Sequence, residues 1–293
     1  MSRRRALEYH REKLGEAREI VSSMKSLAFM ETHRVGRFLD SQRRVVRTVE
    51  EAAADFLSFY PETLYAEGVA APSRRVFLLL GSERGFCGNF NETLIDELTQ
   101  QLRAEPAGEV GIIACGSKLC ARLADHPQLL AAVEGAAVSD EVEDTLQRLL
   151  QPLDTLQQRE GTMSLRALNH EPERDTVLSR DLLPPFTQLP APAGDFHYPP
   201  QLNLSPADFL LALVEQYLFA ALHEMLYVSL MAENQRRMQH LEGAVRFLDD
   251  KLEALRRRGN QLRQEEITEE IEVILLSADN AGAGSPLPVR GRE

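Results

Sequence analysis

Two long helical patterns, one at each end of the chain, restrict the fold more than any other feature. No proline occurs before Pro61, and residues 4–60 carry a heptad pattern. Leu7, Leu14, Val21, Ala28, Val35, Gln42, Val49 and Phe56 fall seven apart. A second row three residues on holds His10, Ala17, Met24, Glu31, Phe38, Val45, Ala52 and Phe59. Thirteen of these sixteen positions are apolar, a heptad sustained well beyond what defines a coiled coil. Gly15 and Gly36 interrupt it, each costing about 1 kcal/mol relative to alanine inside a helix.

The second pattern opens at Ser205, a good N-cap, with Pro206 at the first helical position, and meets no further proline until Pro286. From Met238 the apolar row steps by three and four through Leu241, Val245, Leu248, Leu252, Leu255, Gly259 and Leu262. It then restarts at Ile267, Ile271, Ile274 and Ala278, a phase break that alters the supercoil locally. A helix over 205–280 would be roughly 110 Å long at about 1.5 Å per residue. The economical way to bury both seams is to pair the chain's own ends, antiparallel, across an intervening domain; a parallel homodimeric coil is the competing arrangement.

The expected architecture is therefore α/β with long helices: a coiled-coil helix over 1–60, a central Rossmann-like α/β domain with a proline-rich linker over 72–204, a coiled-coil helix over 205–280, and a disordered tail over 281–293. In the centre, 76–80, 110–115, 164–169 and 176–182 read as strands. Residues 92–102, 119–124 and 142–153 read as helices, which together give a small, mostly parallel sheet. The stretch 184–200 is the linker.

Net charge is −12, which argues against a general nucleic-acid binder. The three cysteines, Cys87, Cys115 and Cys120, show no ligand spacing and read as reduced thiols. No apolar core follows the opening Met-Ser-Arg-Arg-Arg, so no signal peptide is expected. The most apolar stretch, 209–231, is interrupted by Glu215, Gln216, His223 and Glu224 and does not read as a membrane span.

The sites of possible chemistry are weak. Gly111, Gly116, Ser117 and Lys118 imitate a phosphate-binding loop with serine and lysine in the wrong order. His223-Glu224 starts like a zinc-protease helix, but Tyr227 stands where the second histidine should be. No nucleophile turn is present. No catalytic residue, metal or cofactor is expected. The arginine triplets at 3–5 and 256–258 read as solvated helix faces unless an acidic sleeve surrounds them. The turn 81–91, Gly-Ser-Glu-Arg-Gly-Phe-Cys-Gly-Asn-Phe-Asn, stands out because it follows a strand, precedes a helix and carries three glycines. It reads as a structural turn that also docks a partner.

That turn resembles a signature of the gamma subunits of F-type ATP synthase, with Arg84, Gly85, Cys87, Gly88 and Asn91 agreeing. Glu83 replaces an aspartate and Asn89 a glycine. Residues 263–271 are similar to a second family signature, and 233–238 to a third. The N-terminal signature is reduced to Ile20 and Met24, which marks a divergent branch. The resemblance implies a non-catalytic rotor shaft inside a hexamer of alpha and beta subunits. Met24, Arg263, Gln264, Thr268 and Ile271 would then contact the catalytic subunits, and 271–278 would sit in an apolar collar. The turn around Arg84, Gly85, Cys87, Gly88 and Asn91 would face the epsilon subunit and the membrane c-ring. The complex would lie peripherally on the cytoplasmic face of the inner (plasma) membrane. A coiled-coil scaffold, or an α/β enzyme with a coiled-coil dimerisation handle, are the other readings.

Overall fold

The computed structural model describes residues 3–64, 74–104, 109–172, 174, 176–186, 189 and 198–282. Most of the expected linker and, from residue 283, the expected tail lie outside them. The elements are α1 (Arg3–Phe59), β1 (Arg74–Leu80), α2 (Phe90–Ala104), β2 (Val110–Cys115), α3 (Ser117–Leu123), β3 (Leu129–Val133), α4 (Val142–Glu160), β4 (Met163–His170), β5 (Val177–Leu183) and α5 (Pro206–Gly282). Ala281 and Gly282 still belong to α5. The chain divides into two compact units, Met1–Met24 with Leu241–Glu293, and Lys25–His240.

In the first unit the two terminal helices pair antiparallel. Arg18 donates to Asp249 at 2.9 Å and Arg4 to Glu266 at 3.3 Å, so residues rise along α1 as they fall along α5. Both ion pairs are exposed and screened by water, so they report register more than stability. The seam itself is apolar. Leu241 and Val245 are buried, and Leu248, Leu252, Leu255, Gly259 and Leu262 are the half-buried positions of an otherwise exposed helix face. Leu7, Leu14, Ala17, Val21 and Met24 line it from α1. Gly259, the one glycine of that row, is the hole for Leu7, whose Cδ2 lies 3.4 Å from where a Cβ would be. The next seam position is Glu266, facing Arg4. The phase break after Leu262 therefore coincides with the end of pairing. Beyond it Ile267, Ile271, Val273, Ile274, Leu275 and Leu276 are between 47% and 65% exposed.

The second unit is a three-layer α/β/α body. Its sheet runs β3-β2-β1-β4-β5, with the first four strands parallel and β5 antiparallel. From β1 the chain steps outward to β2 and β3, then returns to place β4 on the other side of β1. With right-handed crossovers, that reversal moves the connecting helix to the opposite face. Accordingly α2 and α3 cover Phe77, Leu79, Ile112 and Ala114. Helix α4 and the adjoining parts of α1 and α5 cover Val76, Leu78, Leu80 and Ile113. Covered on both faces, β1 is an unbroken apolar run from Val76 to Leu80.

Within this unit α1 and α5 are again antiparallel: Phe38 stacks on Tyr227 at 5.8 Å, and Phe56 packs at a tilt against Phe209 at 4.9 Å, between ring centroids. Arg180 of β5 bridges them, reaching Glu50 at 2.8 Å and Glu224 at 3.1 Å. The start of α5 is capped as expected, with the Asp208 amide donating to Ser205 Oγ at 3.2 Å.

Three sequence expectations change. The first row of α1 holds, with Ala28, Val35 and Phe56 buried, but the second buried row is Leu39, Val46 and Ala53 with Ala54 and Leu57, while Phe38, Val45 and Ala52 of the expected second row are exposed. The spacings from Ala28 to Leu39 and from Ala28 to Val46, 11 and 18 residues, fit a straight helix of 3.6 residues per turn, in which the second row slips by one position. Strand β3 was not anticipated: Leu-Leu-Ala-Ala-Val is short and alanine-rich, and lies at the sheet edge. Finally, α5 does contain a window long and apolar enough to cross a membrane by length and composition. Its interruptions are too few to prevent that. Leu213, Tyr217, Ala221, Leu222, Met225 and Leu226 of this stretch pack in the core.

One buried and one half-buried histidine add a pH dependence. His170 Nε2 lies 2.8 Å from the Phe90 carbonyl, and His223 lies 3.7 Å from Glu143 with aromatic rings around it. Burial holds both below the ordinary 6.5. The unfolded chain then binds protons more readily than the folded one, so stability present above pH 6.5 falls as pH drops through and below it. Thermal unfolding should show a smaller loss between neutral and acidic pH in His170→Gln than in the parent. In urea unfolding, Leu39→Ala should cost about 2–5 kcal/mol and Val45→Ala within about 0.5 kcal/mol; the reverse order would restore the heptad assignment.

Candidate functional site

The turn 81–91 leaves the carboxyl end of β1, beside the point where the strand order reverses. In open α/β sheets that crevice is where ligands bind. The local sequence explains its shape. A Cβ on Gly81 would lie 2.5 Å from Leu119 Cβ, and Gly116 opposite it has φ 111°, with any Cβ 2.6 Å from the Gly81 carbonyl oxygen. Only glycine lets the two turns approach this closely. Ser82 and Asn91 close the base of the turn: Asn91 Oδ1 accepts from the Ser82 amide at 3.0 Å and its Nδ2 donates to Ser82 Oγ at 2.9 Å, both residues being buried.

Two carboxylates organise the interior. Glu83 accepts from the Ser117 amide at 2.8 Å, the Ser117 hydroxyl at 2.5 Å and the Gly135 amide at 2.7 Å. It joins the turn to the loops after β2 and β3. Glu233 of α5 accepts from the consecutive amides of Glu83 and Arg84, each at 3.0 Å. Arg237 then pairs with Glu233 and donates to Asn234 Oδ1 at 2.7 Å and to the Gly85 carbonyl at 3.1 Å. Cys87 Sγ lies under this assembly near the carbonyls of Gly85 and Glu233, at 3.4 and 3.8 Å, and burial pushes its thiol up to about 12. At that value it stays protonated at neutral pH and is no nucleophile.

The outer side is open. Arg84, Phe86 and Gly88 are exposed, and with Lys118, Arg122 and His240 they line a groove of about 630 Å³. Arg122 is paired with Glu92 at 2.5 Å.

The expected contact residues thus fall into separate groups. Arg84, Gly85 and Gly88 lie on the turn's accessible side, whereas Cys87 and Asn91 are buried and engaged within the chain. Arg263, Gln264, Thr268 and Ile271 are exposed near the unpaired end of α5, with the Thr268 hydroxyl donating to the Gln264 carbonyl at 2.9 Å. Met24 is half-buried on the seam, at a level about 25 Å along the helix pair from the one where Arg263 lies. The imitation phosphate loop also resolves. Gly111 is a strand residue under Leu130, and the Ser117 amide is taken by Glu83. Sequence reasoning missed the pairing of Glu83 and Glu233 with this turn. The one pointer to it was the resemblance at 233–238.

A family model described as ATP synthase matches residues 4–280. The ATP synthase gamma chain of Caldanaerobacter subterraneus subsp. tengcongensis is 26% identical over 301 aligned positions, covering 90% of this chain and 95% of that one. The ATP synthase gamma chain of Clostridium beijerinckii is 24% identical over 246, covering 83% of each. Among solved structures, a chain of the Euglena gracilis mitochondrial ATP synthase (OSCP/F1/c-ring) superposes with a TM-score of 0.61 at 15% identity, covering 99% of both chains. A chain of the Tetrahymena thermophila mitochondrial ATP synthase central stalk/c-ring gives 0.57 at 15% identity, covering 77% of this chain and 99% of that one. With nearly its whole length matched, the chain belongs to the ATP synthase family, among the gamma chains.

Proposed function

We propose that this chain is the central-stalk rotor subunit of an F-type ATP synthase, carrying torque between the membrane ion-translocating ring and the catalytic alpha/beta hexamer. The observation that carries the reading is the antiparallel pairing of α1 with α5, past which α5 runs on alone with an exposed apolar row. Two helices locked along an apolar seam resist bending and twisting together better than one. The free end from Ile267 to Leu276 supplies apolar surface for a collar, and apolar contact is non-directional, so rotation need not break strong bonds there. Arg263, Gln264, Thr268 and Ile271, with Met24 lower on the pair, are the contacts to the alpha and beta subunits. An asymmetric shaft that presents a different surface to each catalytic interface in turn favours a different conformation at each, which is coupling by differential contact.

The α/β body, through Arg84, Gly85, Gly88 and the surrounding groove, faces the epsilon subunit and the c-ring. The chain has no active site of its own; nucleotide chemistry belongs to its neighbours. In support, the amides at the strand-order crevice are already occupied by Glu83 and Glu233, which leaves no open phosphate cradle there. The assembly lies peripherally at the cytoplasmic face of the inner (plasma) membrane.

In the assembled complex, Arg263→Ala combined with Gln264→Ala should weaken ATP-driven ion pumping while leaving assembly intact. Pumping at the parental level would remove these two residues from the coupling path. The chain should also co-purify with larger catalytic subunits, whereas isolation as a stable homodimer would favour a scaffold.

A further inference from the structure

We propose that Glu233 is a positioning residue: a tethered carboxylate on α5 that fills the anion cradle of the turn 81–91 and so holds segment 84–88 in the shape its partner docks on. The docking half rests on the function proposed above; the cradle half stands on geometry alone.

Consecutive amides pointing at one site form a nest with affinity for anions, and this one lies at the sheet's ligand crevice. The occupant comes from the chain itself. The two oxygens of Glu233 take one amide each, from Glu83 and Arg84, both at 3.0 Å. Arg237 neutralises the carboxylate and holds the far side of the turn through the Gly85 carbonyl at 3.1 Å. Glu233 is 2% exposed and Arg237 5%, so removing either leaves a buried charge without its counterpart.

Segment 84–88 needs such a fixture. Phe86 and Gly88 have φ values of 66° and 62°, and the Phe86 side chain is 54% exposed. A non-glycine residue in the left-handed region persists where its surroundings over-determine it, and Phe86 has little packing of its own to do so. The Arg237 bond to Gly85 sits immediately before it. On the outer side, Arg84 and Gly88 present the groove. Glu233 thus acts on the docking face from the opposite side of the backbone.

Cys87 gives a built-in reporter, because its thiol lies against the Gly85 and Glu233 carbonyls. In the full chain carrying Cys120→Ser, the remaining thiols, Cys87 and Cys115, are both buried. Alkylation of each is followed by mass spectrometry. Glu233→Ala should raise the Cys87 rate at least about tenfold through local opening, with Cys115 unchanged. Added formate should refill the cradle and slow Cys87 again in this variant, with no effect on the parent. Glu233→Gln, which keeps the size and one acceptor oxygen, should fall between and covers the case where the alanine variant does not fold. A Cys87 rate at the parental level, a rise shared with Cys115, or indifference to formate would each overturn the cradle assignment. The assembled complex separates the two halves. Released Cys87 together with lost coupling supports the whole inference. Released Cys87 with parental coupling overturns the docking role of the turn and leaves the cradle in place.

Discussion

The apolar seam between α1 and α5 is the interaction on which this molecule depends. A helix of 77 residues cannot bury its stripe against a small sheet alone. In the first unit, α1 supplies the only described surface that covers the Leu241-to-Leu262 row. In the second, the same two helices lie on one face of the sheet, where their stripe becomes part of the core. The ion pairs Arg18–Asp249 and Arg4–Glu266 set the register of the seam, and Gly259 provides the depth for Leu7. Where the seam ends, at Glu266, the apolar row of α5 moves to a new face. A sequence that keeps exposing isoleucine and leucine past its last internal partner among the described residues offers an apolar surface to an external one.

The α/β unit has the layout of a ligand-binding domain but uses its crevice differently. Turn amides that could cradle a phosphate are filled by Glu83 and Glu233, and the latter arrives from α5. Ligand-site geometry has become a joint between the sheet and the long helix. Such a joint suits a part that must pass force: its bonds are buried, charged and mutually satisfied, so the turn cannot shift without leaving Arg237 or Glu233 unpaired. The outer side of the same turn remains accessible.

Much of this was legible in the sequence. The Leu241-to-Leu262 row could be read because a heptad seam is local and periodic, and the strands β1 and β2 because burial on both faces makes them continuously apolar. The first row of α1 was legible for the same reason, with Ala28, Val35 and Phe56 buried, but its second row was misread from Phe38 on. Over several turns the difference between 3.5 and 3.6 residues per turn rotates the buried face, so that Leu39 and Val46 replace Phe38 and Val45. Strand β3 was invisible because an alanine-rich edge segment carries no strong strand signal. The Glu233 latch lies 150 residues from the amide of Glu83 it holds, a separation no local pattern reports. The family signatures marked both segments without indicating that they meet.

The most direct test of the account is a cross-link across the seam in the first unit. Leu7→Cys with Gly259→Cys, in a Cys120→Ser background, can be treated with a short bis-maleimide at several dilutions and the products mapped by mass spectrometry. An antiparallel pairing within one chain predicts an intrachain link between positions 7 and 259 whose yield does not depend on concentration. Links between chains that fade on dilution, or joining position 7 to its own copy, would contradict the shaft.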